Sequence, residues 1–253
     1  MSSFYLGVYW HSRQLTMRAY ADATHRFIHL LRTAHPAFAL LEWVGDRPGT
    51  AVRVASDLSN LDELIYHHAW DKTRRYEHAN PDGAPAWESV SKLGYGMDYS
   101  TGGSKKEGYL FVSISAGITA PEISNSVLIE FPAPDHPKFF YREFFDDSFL
   151  TKLFSQCVHL WRPESGRVTS HSFNQAVAPA SPPVIGWLTY ARDPRAAALR
   201  NSPQLKNLIF ETTLDGGTLI SLGRTPISPD NAEQVEEARR LRQILLDEHL
   251  VQK

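Results

Sequence analysis

Cysteine is almost absent: Cys157 is the only one in 253 residues. No intrachain disulfide can form, and the usage fits a reducing compartment. Charge of one sign is missing as well. Against 28 Asp and Glu stand 26 Lys and Arg, a formal net charge of −2. The chain therefore lacks the basic footprint of a nucleic-acid-binding domain, though it is compatible with a basic protein partner. No apolar run reaches the roughly eighteen residues of a membrane span. The opening Met1-Ser2-Ser3-Phe4-Tyr5-Leu6 has no basic stretch followed by a long apolar one, so no signal peptide is expected. A cytoplasmic protein without a membrane or nucleic-acid partner is the expectation.

Catalytic signatures are also lacking. His67-His68 with Glu63 is not the His-Glu-x-x-His arrangement, and adjacent helical residues point about 100° apart, so no metal site is expected. Gly102-Gly103-Ser104-Lys105-Lys106 lacks the spacing of a phosphate loop and no helix is signalled after it. There is no Gly-x-Ser-x-Gly elbow. Cys157 falls on the apolar stripe of a helix, Ser170-His171 falls on an expected strand, and Asp146-Asp147 reads as a helix start. No cofactor and no enzymatic activity are expected.

What is present is a mixture of short strands and amphipathic helices. Val184 to Tyr190, set between Pro182-Pro183 and Arg192-Asp193-Pro194, reads as a central strand. Phe4 to Trp10 is a first strand. Arg13 to Ala34 follows as a helix with Tyr20, Ala23, Phe27, Leu30, Leu31 and Ala34 inward, and Arg18, Asp22, Arg26 and His29 outward. Leu40 to Val44 is a second strand. Ser59 to Arg74 is a second helix, capped by Ser59, with Leu61, Leu64, Ile65 and Trp70 inward. Lys92 to Gly108, with five glycines, reads mainly as an extended loop. Tyr109 to Ala116 and Asn125 to Phe131 form an antiparallel pair.

After Pro132 to Lys138, a break that is the candidate pivot between two halves, Asp146 caps a helix with Phe149, Leu150, Leu153, Phe154, Cys157, Val158 and Trp161 inward. Arg167 to Phe173 is read as a strand and Pro194 to Arg200 as a short helical piece. Leu208 to Leu214 and Thr218 to Leu222 are strands joined at Asp215-Gly216-Gly217, the strongest hairpin signal in the chain. Asp230-Asn231-Ala232-Glu233 opens a last helix, with Val235, Ala238, Leu241, Leu245 and Leu246 inward. Runs of strands rather than strict alternation predict an α+β fold with mainly antiparallel sheet flanked by about four helices, as one domain over 1–253.

Three segments in order, Phe4-Tyr5-Leu6-Gly7-Val8-Tyr9-Trp10, Asn125-Ser126-Val127-Leu128-Ile129-Glu130-Phe131 and Gly186-Trp187-Leu188-Thr189-Tyr190, resemble the immunity protein 52 family of bacterial polymorphic-toxin systems. The resemblance runs from the first strand to about Leu222. It implies a cytoplasmic antidote that binds and neutralises a cognate toxin or effector. That toxin would be a nuclease domain from a neighbouring gene, delivered by a contact-dependent system such as type VI secretion. The family carries no catalytic motif to transfer. Against a basic nuclease, acidic and aromatic contacts give steering and affinity. The residues selected on that ground are Tyr95, Asp98 and Tyr99 in the glycine-rich segment and Asp62, Glu63 and Asp71 on the second helix. The competing expectations are a hydrolase that reverses toxin damage and an adaptor that loads an effector.

Overall fold

In the computed structural model, which describes residues 3–45, 49–69, 86–102, 108–139, 141–178 and 184–250, the first strand β1 spans Phe4–Trp10. The chain divides into two compact units, one of Tyr9–Ile129 and one of Met1–Val8 with Glu130–Lys253. The fold is α+β, with antiparallel strand pairing and several helices.

In the unit of residues 9–129, helix α1 spans Met17–Ala34 and starts four residues later than the apolar periodicity suggests. The Arg13 N–H is committed to the Ile118 carbonyl, and the Thr16 hydroxyl accepts the Ala19 N–H at 3.1 Å, which fixes the start. The buried stripe is Met17, Tyr20, Ala21, Thr24, Phe27, Ile28 and Leu31, rotated slightly from the expected one. The stretch Pro36–Leu40 is a 3-10 turn, because His35 accepts the Ala37 N–H and Pro36 begins the turn. The second strand shrinks accordingly to β2, Glu42–Trp43, paired with the edge strand β3, Val52–Arg53.

Helix α2 spans Leu61–His68. Asn60, not Ser59, stands at its N-cap, and its amide is used sideways: Oδ1 accepts from Ala55 N and Nδ2 donates to the Arg53 carbonyl. The expected continuation through Trp70 and Asp71 to Arg74 lies outside the described residues, as does the lysine-bearing part of the glycine-rich segment.

The glycine-rich stretch is the main correction. Leu93–Ser100 is an eight-residue strand, β4, paired in antiparallel register with β5, Phe111–Ile118. Tyr95, Met97 and Tyr99 recur every second residue and point to the helix-covered face, while Gly96 and Asp98 face outward. The glycines serve strand geometry: at Gly94, φ is +67° and a Cβ would stand 2.6 Å from the Ala116 carbonyl oxygen. Strand β6, Asn125–Phe131, alternates buried and half-buried residues as expected. Buried Asn125 closes the β5–β6 connection by bonding both Ile118 backbone groups and the His11 carbonyl. In this unit the strands run β3-β2-β4-β5-β6. Tyr20 of α1 lies 5.3 Å from the Tyr95 ring, and His68 of α2 stacks on Trp43 at 3.7 Å, so both helices cover one sheet face.

In the other unit, α3 spans Asp147–Trp161 with Asp146 accepting the Phe149 N–H, as the sequence predicts. Strand β7 is Ser165–Ser170, and the expected strand through Phe173 instead turns into a short helix α4, His171–Val177, because the Ser170 hydroxyl caps it. The strand expected over Val184 to Tyr190 is shorter and starts later, as β8, Leu188–Ala191, with Ile185 to Trp187 buried ahead of it, and it stands third from the β9 edge. After 3-10 turns over Pro194–Asn201 come β9, Ile209–Thr212, β10, Thr218–Ser221, and the last helix α5, Ala232–Asp247. The strands of this unit run β1-β7-β8-β10-β9. Helix α3 packs so closely that a Cβ at Gly166 would meet the Phe154 ring at 2.8 Å.

Candidate interaction surface

An aromatic, basic and acidic cluster gathers at the start of α1. The first N–H groups of a helix have no intrahelical partner. Here Met17 N and Arg18 N donate to the Ser89 and Trp87 carbonyls, which fastens the segment after the undescribed stretch 70–85 against α1. That bond brings the Trp87 indole under the Arg18 guanidinium, 4.0 Å from the ring centroid. The same guanidinium reaches Asp62 in the first turn of α2 at 3.3 Å. His25 stands seven residues, two helical turns, beyond Arg18, and its Nε2 lies 2.9 Å from the other Asp62 oxygen. Tyr66, one turn along from Asp62, places its ring 6.1 Å from Trp87.

These groups are ordered yet accessible: the Arg18, His25 and Asp62 side chains are 40%, 33% and 44% exposed. An exposed ion pair stabilises a fold by only about 0–1 kcal/mol, so this arrangement adds little to folding. It does present an indole, a phenol and a guanidinium, the side chains that dominate binding at protein interfaces, beside a carboxylate that holds the guanidinium in place.

The residues expected from sequence separate into four groups. Asp62 belongs to this cluster, and Glu63 beside it is exposed. Asp98 is exposed on the opposite face of β4. Tyr95 and Tyr99 are corrected: they are 2% and 0% exposed and are core residues, not partner contacts. The reason is the strand period, which turns both toward α1 and α2. The Tyr95 hydroxyl donates to the Ser89 carbonyl at 2.8 Å, and burial, reinforced by Asp98, pushes the Tyr99 phenol well above its ordinary pKa. Asp71 lies outside the described residues. Arg18, His25, Tyr66 and Trp87 were not selected. The spacing of Arg18 and His25 on the polar face of α1 was a usable signal, but Trp87 follows a breaker-rich stretch and carries no periodicity.

Elsewhere, a small hollow of about 60 Å³ lies between Asp147, Thr151, Glu211, Ser221 and Arg224. Burial raises the Asp147 carboxyl pKa, partly offset by Arg224. Cys157 is buried, and burial pushes its thiol up to about 12, which leaves it unreactive at neutral pH. Among the described residues no group of three or more His, Cys, Asp or Glu could hold a metal ion, and no helix is long and apolar enough to cross a membrane.

The comparisons with known proteins accord with this architecture. No curated protein matches the chain. Among solved structures, a Pseudomonas aeruginosa T6SS protein, PA0821, is similar at a TM-score of 0.51 and 16% identity. The match covers 98% of this chain and 75% of that one, a likeness of fold. The model of the family described as Immunity protein 52 matches residues 2–253, nearly the whole sequence. The chain belongs to the Immunity protein 52 family.

Proposed function

We propose that this protein neutralises a cognate secreted toxin by stoichiometric binding, without turnover, inside the cytoplasm of the cell that makes it. The observation that carries the reading is the family match over residues 2–253. The name of the similar solved protein, a T6SS protein, supports type VI secretion as the delivery route. The surface supports binding as the means, because the Arg18–Trp87–Asp62 cluster joins aromatic area to fixed charges.

The toxin is a nuclease effector encoded by the adjacent gene. A nuclease must attract phosphates, so its active face is basic, and Asp62 and Glu63 complement it. Asp98 stands on the other side of β4 from α2 and cannot join Asp62 in one flat interface. The α1–α2 side, with two carboxylates and two aromatic rings, is the stronger contact.

Co-expression in a bacterium with the toxin domain of the adjacent gene tests this reading. Growth rescue together with a co-purifying complex is the expected result. Rescue without any complex contradicts inhibition by binding. Neither rescue nor complex, with both proteins expressed, contradicts the pairing with that gene.

A further inference from the structure

The most exposed large apolar side chain among the described residues is not in the cluster at α1. Leu214 is 94% exposed, whereas the other large hydrophobic residues at the surface lie between 36% and 45%. It sits in the turn between β9 and β10. A flexible loop tip would be an ordinary place for such a residue, but this turn is held from several directions.

The Thr213 N–H donates to the Gly217 carbonyl and the Gly216 N–H to the Thr213 carbonyl, each at 3.0 Å. Asp215 follows Leu214 and turns inward. Its Oδ1 accepts the Thr213 hydroxyl at 2.6 Å and the Gly217 N–H at 3.4 Å. Its Oδ2 accepts the hydroxyl of Tyr190, a residue of β8 with no exposed surface, at 2.6 Å. Gly216 takes a φ of +85°, which favours glycine. Gly217 admits no Cβ, since one would stand 2.5 Å from the Tyr190 ring. The carboxylate thus ties the turn to the core while its neighbour Leu214 is left in water.

From this geometry we infer that the β9–β10 turn is a preformed knob, with Leu214 as the single apolar anchor that enters a concave apolar pocket on the toxin. The inference rests on the immunity reading above and adds a second contact element to it. A rigid element loses little conformational freedom on binding, which is how preorganisation raises affinity. The chemistry around the knob selects the occupant. Residues Glu211 to Thr218 hold two carboxylates and no Lys or Arg, and one guanidinium, that of Arg200, reaches Thr212 at 3.4 Å, so the hairpin is net negative, which disfavours an anionic lipid surface and a phosphate backbone alike. A single branched side chain projecting from a tight turn is buried by a pocket about one side chain wide, which a folded protein partner supplies.

The test uses the full chain and the toxin domain of the adjacent gene, with affinities measured by titration calorimetry for wild type, Leu214→Ala, Leu214→Asp and Leu214→Met. Melting temperatures are expected to be equal, because Leu214 packs against nothing. Leu214→Ala is expected to weaken binding about 10- to 100-fold, the worth of burying one leucine side chain, and Leu214→Asp by more. Leu214→Met, similar in volume and apolar, is expected to stay within about threefold. If wild type binds and all three variants bind alike, the anchor is refuted and the immunity reading stands. If Leu214→Met loses as much as Leu214→Asp, the pocket does not read apolarity and the inference fails. If wild type does not bind at all, the immunity reading and the inference fail together.

Discussion

Asp62 is the residue on which the α1–α2 surface converges, since Arg18 and His25 reach its two oxygens from two turns of one helix. Its half-exposed pairs contribute at most about 1 kcal/mol to folding. Asp62→Ala is therefore expected to leave the urea midpoint nearly unchanged while weakening toxin binding about tenfold. A stability loss with unchanged affinity would make the cluster structural. Tyr99 gives the converse case. Its hydroxyl is buried with no hydrogen-bond partner among the described residues. Tyr99→Phe removes that desolvation cost and is expected to raise stability by about 1 kcal/mol without touching affinity. Asp215 supplies a pH dependence. Burial raises its carboxyl pKa, but the bonds from Thr213, Tyr190 and the Gly217 N–H outweigh burial and hold it below the ordinary value. The stability it contributes is present above the unfolded carboxylate range, near pH 4, and is lost as pH falls through the lower folded value. The difference in urea midpoint between wild type and Asp215→Asn is thus expected to be greatest near neutral pH and to shrink below about pH 4.

The secondary elements divide by how far their determinants are local. The caps of α3 and α5 are set within four residues: the structure forms the first at Asp146 as the sequence predicts, and the second at Asn231, one residue beyond the Asp230 of the expected capping box. The Asp215-Gly216-Gly217 hairpin is likewise local, and Gly217→Ala is expected to cost about 1–3 kcal/mol in urea unfolding because the new Cβ meets Tyr190. Strand β4 was missed because five glycines in Lys92 to Gly108 read as breakers. Its conformation comes from pairing with β5, more than ten residues away. The alternation of Tyr95, Met97 and Tyr99 was the legible signal, and it also marks the two tyrosines as core. Helix α4 replaced the end of a strand because Ser170 caps it, a choice that Ser170-His171 alone does not reveal. The candidate surface was legible only in part. Asp62 and Glu63 follow from an acidic helix start, but Trp87 joins them through a backbone bond to Arg18 that no spacing encodes.

At the scale of the molecule, the family match over residues 2–253 spans both compact units. The two proposed contact elements, the cluster around Asp62 and the turn at Leu214, lie in different units and each is testable by itself. Binding through them predicts inhibition by mass action: each protein molecule disables a fixed number of toxin molecules. The direct measurement is the activity of a purified toxin domain, held far above the dissociation constant and titrated with the protein. A linear fall to zero at a fixed molar ratio is the predicted result. Complete loss of activity at a small fraction of that ratio, or loss that grows with time at constant ratio, would show turnover and contradict the account.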